Sequence, residues 1–151
     1  MRRISASQLD AAAAARYAVF EYMISNLDWA MTAGPAGEDC CHNARLMGPE
    51  GVTGASMGLI PVPYDFDYAG LVNASYAAPP EGIPVANVRV RRYRGFCAHN
   101  EQAKAFLAEI SSRRDSLMAV LTRRRSWRNG RAEMRPAISA TFSRRPAPRP
   151  R

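Results

Sequence analysis

The ten residues PVPYDFDYAG, at positions 61–70, place two carboxylates, Asp65 and Asp67, directly after the short apolar run 57–62. An apolar run that ends in acids is typical of a strand whose end presents carboxylate oxygens to solvent. Hard divalent cations such as Mg²⁺ prefer such oxygens and commonly share them with phosphate. The stretch therefore predicts a strand end with a metal site at Asp65 or Asp67.

Two further polar segments lie upstream of this strand end. Asn26-Leu27-Asp28 follows a predicted helix, and His42-Asn43 precedes a predicted strand. Phosphoryl transfer from ATP requires a carboxylate at the acceptor hydroxyl, and an amide oxygen and a second carboxylate on the metal. In chain order, Asp28 is the candidate catalytic carboxylate, and Asn43 with Asp65 or Asp67 are the candidate metal ligands.

In this order the three segments resemble the C-terminal lobe of atypical kinase-like proteins, in particular the CotH-like kinases and, more distantly, the HipA-like kinases. The likeness covers residues 15–122 and includes Tyr64-Asp65, with Asp67 in the third place of an Asp-Phe-Gly-type segment. It implies an α+β, mostly helical fold: a kinase-like C-terminal lobe with a small β-hairpin. It also implies Mg²⁺ (or Mn²⁺) and ATP as cofactors, and a nucleotide and an acceptor substrate as partners.

The sequence departs from the kinase pattern in two respects. Asp28 and Asn43 lie fifteen positions apart, against about five in protein kinases, and a Gly- and Pro-containing loop at 31–39 accounts for the difference. No glycine-rich strand pair precedes Asp28, and the only lysine is Lys104. The resemblance therefore implies that the N-terminal lobe is absent and that the kinase is truncated or degenerate.

The positive charge of the chain is concentrated at one end. Residues 123–151 hold ten arginines and one acid, whereas residues 1–122 carry a net charge of −1. We therefore predict a folded domain at 1–122 and a disordered basic tail at 123–151. The alternative function is that of a non-catalytic binding protein, whose tail makes a weak contact with nucleic acid or with an acidic partner.

Hydrophobic periodicity predicts the other elements. Apolar residues at three- and four-residue spacing predict helices at 7–25 and from 100 to about 121. Short strands are predicted at 44–47 and 57–62, residues 72–84 are expected to be irregular because of three prolines, and 85–93 is ambiguous between strand and helix. No apolar run is long enough to span a membrane, and no signal peptide is evident, so we expect a cytoplasmic protein without membrane contact.

Simpler interpretations exist for each candidate residue. Asp65 and Asp67 are also typical turn acids, Asp28 is also typical of a helix terminus, and His42 is expected to hydrogen-bond near Asn43. The cysteines, Cys40, Cys41 and Cys97, are expected to be reduced, because adjacent cysteines pair only with strain. Their spacing relative to the two histidines does not match that of a structural zinc site.

Overall fold

The computed structural model describes residues 3–48, 53 and 55–123, and this part of the chain is α+β. It contains three α-helices, α1 (Ala11–Ile24), α2 (Asn100–Ser112) and α3 (Arg114–Arg123). It also contains one antiparallel pair of strands, β1 (Ala44–Met47) and β2 (Ile60–Pro63). The predicted α+β class with a small hairpin is confirmed, whereas the predicted tail at 123–151 lies outside the described residues from position 124 onwards.

Helix α1 begins later than the sequence predicts. The carboxylate of Asp10 accepts a hydrogen bond of 2.7 Å from the Ala13 amide, so Asp10 is the N-cap. Ser7 does not start the helix, because Ser5 and Gln8 instead form a capping box around a 3-10 turn at Ala6–Gln8. The predicted start was therefore wrong by one short turn, since two capping signals follow each other closely.

Helix α1 is the centre of the fold because it buries two faces. Ala14, Tyr17 and Ala18 pack into one core cluster beside the hairpin, and Ala15 and Val19 pack into another against α2. The alanines allow close approach of both neighbours. Phe20, which spacing places on the apolar face, belongs to neither cluster and is 38% exposed, with its ring edge-on against Phe66.

The hairpin places one face on the core and the other in solvent. Strand β1 occurs where predicted, whereas β2 is shifted towards Pro63, because Leu59 is held outside the hairpin by hydrogen bonds to Gln8 and Asp10 (2.9 and 2.8 Å). The register pairs Ala44 with Pro63 and Met47 with Ile60. Side chains alternate along each strand, and the exposed face carries Arg45, Met47, Ile60 and Val62.

The C-terminal helical region is two helices and not the single predicted one. Arg113, at φ −103° and ψ 13°, separates α2 from α3. Residues 85–93 form neither helix nor strand, and 72–84 is irregular as predicted. Among the described residues, no helix combines the length and the apolar character needed to cross a membrane.

The prediction that all three cysteines are reduced was wrong. Cys40 and Cys41 form a disulfide bond, and Cys97 is free and exposed. The sulfur atoms of Cys40 and Cys41 lie 3.7 and 3.1 Å from the carbonyl oxygen of Met31, beside the core cluster that contains Trp29. The pair therefore lies against Met31, within the loop that leads from Asp28 to His42.

Candidate functional site

The C-terminal end of α1 is closed by segments that are distant in sequence. Ser25 adopts a left-handed conformation at φ 58° and ends the helix. Its carbonyl accepts a hydrogen bond of 2.9 Å from the Gly70 amide, and its hydroxyl donates one of 2.9 Å to the carbonyl of Val88. Because the last carbonyls of a helix have no partner within it, these bonds fix where the chain leaves α1.

Asp28 follows in a turn that Asn26 organises. The side-chain oxygen of Asn26 accepts a hydrogen bond of 3.0 Å from the Asp28 amide. The main-chain oxygen of Asn26 accepts one of 3.0 Å from the indole nitrogen of Trp29. Both Asn26 and Trp29 are buried. The Asp28 side chain is 24% exposed and is therefore directed by a rigid frame while it stays accessible to solvent.

The structure brings together three of the polar residues that the sequence singled out. The amide nitrogen of Asn43 donates to the main-chain oxygen of Asp28 (2.7 Å) and to its carboxylate oxygen Oδ2 (3.1 Å). Nε2 of His42 lies 2.8 Å from Oδ1 of Asp28. An ionised carboxylate only accepts hydrogen bonds, so Nε2 donates. The convergence of Asp28 and Asn43 is thus observed, and the expectation for His42 is confirmed.

Asn43 also connects this pair to the hairpin. Its carbonyl accepts hydrogen bonds from the Tyr17 hydroxyl (3.0 Å) and from the Tyr64 amide (3.2 Å). Tyr64 immediately precedes Asp65, so the end of β2 is tied to the residue that contacts Asp28. Burial raises the pKa of the Tyr17 hydroxyl far above its ordinary value, with a smaller contribution from Glu21, and Tyr17 remains a neutral donor.

We expect Tyr17→Phe to lower the free energy of unfolding by about 1 kcal/mol, because it removes one buried hydrogen bond and leaves the ring in place. Urea denaturation measures this loss. Tyr22→Phe is the matched control on the same helix, since its ring packs edge-on against Tyr93, and a change within about 0.5 kcal/mol is expected there. Equal losses in the two variants would show that the Tyr17 hydroxyl is not a specific support of Asn43.

The two acids after β2 have different surroundings. Asp65 is exposed and adopts a left-handed conformation at φ 60°. Asp67 accepts a hydrogen bond from the Tyr76 hydroxyl, which raises the pKa of Tyr76. Phe66 lies between them and packs edge-on against Phe20, with 5.7 Å between ring centroids. The carboxylate of Asp67 is therefore engaged by a neighbour, while that of Asp65 faces solvent.

Few side chains of the described residues are candidates for holding a metal ion. The described residues contain no group of three or more His, Cys, Asp and Glu side chains placed to hold a metal. Asn43 turns its amide nitrogen towards Asp28, which directs its side-chain oxygen elsewhere, and Asp65 adds an exposed carboxylate. Carboxylate and amide oxygens are the ligand types that Mg²⁺ prefers in proteins, so Asn43 and Asp65 are the residues here that could hold such an ion.

Arg94 supports the Asp28 turn and was missed by sequence analysis. Its Nη1 donates to the carbonyl oxygens of Leu27 and Trp29 (2.8 Å to the latter), the two residues that flank Asp28. The guanidinium also lies 4.8 Å from the centroid of the Trp29 ring. Burial lowers the pKa of Arg94, and the nearby Asp28 carboxylate opposes that shift. An arginine among three others at 89–94 gave no signal of this role.

Glu21 is the second residue that sequence analysis missed. It is 1% exposed, and neither carboxylate oxygen has a hydrogen-bond partner among the described residues. Burial raises the pKa of Glu21 to about 7, and the Asn26 side chain offsets part of that rise. Glu21 therefore lies next to the Asn26 turn. Its carboxyl group changes charge near neutral pH. A lone acid inside an alanine-rich helix was the available signal.

Left-handed backbone at non-glycine residues marks this region. Ser25, Asn43 and Asp65 all have φ between 50° and 60°, and such conformations are retained where the surrounding structure imposes them, often at functional sites. Each belongs to one of the three segments that meet here. The site thus consists of a helix end, a strand start and a strand end. Compared with protein-family models, with curated proteins and with solved structures, the chain has no match.

Proposed function

We propose that this protein is a kinase-like, metal-dependent phosphoryl-transfer module with the topology of a kinase C-terminal lobe. Asp28 is the carboxylate at the acceptor hydroxyl, and Asn43 and Asp65 are the metal ligands. The observation that carries the proposal is the pair of hydrogen bonds from the Asn43 amide to Asp28 (2.7 and 3.1 Å) across fifteen residues of sequence. These bonds lie at the end of the hairpin that carries Asp65.

The surroundings of Asp28 support its role. His42 and Asn43 occupy one lone-pair direction on each carboxylate oxygen, and a carboxylate has about four such directions. The remaining lone-pair directions are available to an acceptor hydroxyl, because the Asp28 side chain is partly exposed. When bound, Mg²⁺ would neutralise charge on the phosphates. Between the two acids after β2, Asp65 is the proposed ligand, since Tyr76 already engages Asp67.

The exposed face of the hairpin supports a nucleotide as the second substrate. Met47, Ile60, Val62 and Tyr64 are between 38% and 59% exposed and follow one another on this face. The face adjoins Asn43 and Asp65 directly. Contiguous apolar surface beside a few polar groups is typical of small-molecule sites, and a flat nucleotide base fits such a surface.

The proposal is tested by titrating Mn²⁺ against the wild-type protein and Asp65→Asn, with free Mn²⁺ measured by electron paramagnetic resonance. We expect Asp65→Asn to weaken binding by on the order of tenfold or more, because a neutral amide replaces the charged ligand. Asp67→Asn should have a smaller effect. Asp115→Asn is the control, since that side chain is 96% exposed on α3. Identical curves for the wild-type protein and Asp65→Asn would refute the metal site.

A further inference from the structure

Arg45 lies on the strand that begins beside the candidate site. It is the second residue of β1, pairs with Val62 in the hairpin and is exposed. Asn43 lies two positions earlier, immediately before the strand begins. Two residues of chain span at most about 7 Å, which is within the reach of a guanidinium group.

The guanidinium of Arg45 is held over the ring of Tyr64, at the end of β2. Its central carbon lies 5.1 Å from the centroid of the Tyr64 ring, and Tyr64 immediately precedes Asp65. A cation above an aromatic ring is attracted to its face, so Tyr64 orients the arginine without using its hydrogen-bond donors. In the described part of the chain, Arg45 forms no ion pair with a carboxylate.

The other cations considered for this role are committed elsewhere. Lys104, the only lysine, pairs with Glu101 on α2 at 2.6 Å. Arg94 donates to the carbonyls of Leu27 and Trp29, and Arg91 donates to the carbonyl of Met23 at 3.3 Å. Arg45 therefore has donors available for a phosphate bound at the hairpin, whereas the donors of Lys104, Arg94 and Arg91 are engaged elsewhere.

We propose that Arg45 binds a phosphate group of the nucleotide on the exposed face of the hairpin and so replaces the lysine that this chain lacks near the site. The inference rests on the proposed phosphoryl-transfer function. A planar guanidinium binds phosphate oxygens in a bidentate manner, and the contact with the Tyr64 ring positions the group beforehand. The ligand class is a nucleoside polyphosphate, whose phosphates lie between Arg45 and the cation held by Asn43 and Asp65.

Isothermal titration of the full chain tests this inference with two ligands. Binding of ATP with Mn²⁺ and binding of inorganic tripolyphosphate without metal are measured for the wild-type protein, Arg45→Gln and Arg45→Lys. We expect Arg45→Gln to weaken both ligands about tenfold, because one charge-assisted contact is lost. Arg45→Lys is expected to recover part of the affinity, since it retains the charge and loses the fork. The Mn²⁺ affinity should not change.

Arg92→Gln is the control, because Arg92 is exposed and belongs to no part of the site. Two outcomes separate this inference from the function on which it rests. Loss of tripolyphosphate binding in Arg45→Gln, in a protein that binds no Mn²⁺, would support the phosphate site and refute the metal site. Equal affinities of the wild-type protein and Arg45→Gln for both ligands, with Mn²⁺ binding intact, would overturn the role of Arg45 alone.

Discussion

Between pH 4.5 and pH 7 the free energy of unfolding is expected to fall by about 3 kcal/mol through Glu21 alone. The buried carboxyl keeps its proton up to about pH 7 in the folded state, against 4.5 for its ordinary value. In that interval the folded protein binds more protons than the unfolded chain. The contribution of Glu21 to the free energy of unfolding is therefore fully present below pH 4.5. It decreases as the pH rises to about 7 and does not change above that pH.

Glu21→Gln isolates the effect, because the amide has the same shape and does not ionise. The quantity to compare is the slope of stability against pH, measured by urea denaturation in steps from pH 4.5 to pH 8. The contributions of all other ionisable groups are common to both proteins and cancel in the difference. Glu81→Gln is the control, since Glu81 is exposed. Parallel curves for the wild-type protein and Glu21→Gln would show that Glu21 is ionised throughout this range.

A direct measurement on the wild-type protein is independent of whether the variant folds. A protonated carboxyl group has a carbonyl stretching band that a carboxylate lacks, and infrared spectra at pH 6 and pH 8 should differ by one such band. We expect the band to disappear with a midpoint near pH 7, in agreement with the raised pKa of Glu21. A spectrum without this band at pH 6 would contradict the prediction even if the variant does not fold.

Replacing Arg94 by methionine is expected to cost roughly 3 kcal/mol or more of unfolding free energy. Hydrogen bonds that involve a charged group contribute about 1.5–3 kcal/mol each, and Arg94 donates two, to the carbonyls on either side of Asp28. Methionine retains the volume over Trp29 and loses both donors. The unfolding free energy of Arg94→Lys should lie between those of the wild-type protein and Arg94→Met. A lysine keeps the charge but has no planar guanidinium that can bridge two acceptors.

Arg92→Met is the matched control, two residues earlier on the same segment and exposed, and it should change stability by less than about 0.5 kcal/mol. A second measurement reports on the turn itself. The indole nitrogen of Trp29 donates to the Asn26 carbonyl, so its N–H resonance should shift in Arg94→Met and remain in place in Arg92→Met. Equal stability of the two variants, with an unshifted resonance, would show that Arg94 does not support the Asp28 turn.

Local patterns predicted the elements whose signals are local. Strand β1 was placed correctly because an apolar segment with turn residues on both sides encodes it, whereas the start of α1 was placed one short turn too early. The start of β2 was misplaced because Leu59 pairs with Leu9, fifty positions earlier. The break at Arg113 was missed because the apolar spacing continues across it.

The candidate site was predictable only where its residues carry recognisable chemistry. Asp28, His42 and Asn43 form a hydrogen-bonded group, as their order in the sequence suggested. Arg94 and Glu21 were not foreseen, because an arginine in a basic segment and an acid in a helix are ordinarily solvated. Their roles depend on burial, which is a property of the complete fold. The disulfide of Cys40 and Cys41 was missed because general geometry disfavours neighbouring pairs.

The distance in sequence between Asp28 and Arg94 has a consequence for protein synthesis. Helix α1 and the Asp28 turn are synthesised first, and Arg94, which donates hydrogen bonds to that turn, follows sixty-six positions after Asp28. Chains generally fold in domain-sized units as they are made, and contacts between distant positions form late. The nascent polypeptide therefore carries Asp28 without the hydrogen bonds from Arg94 until sixty-six further residues have been added.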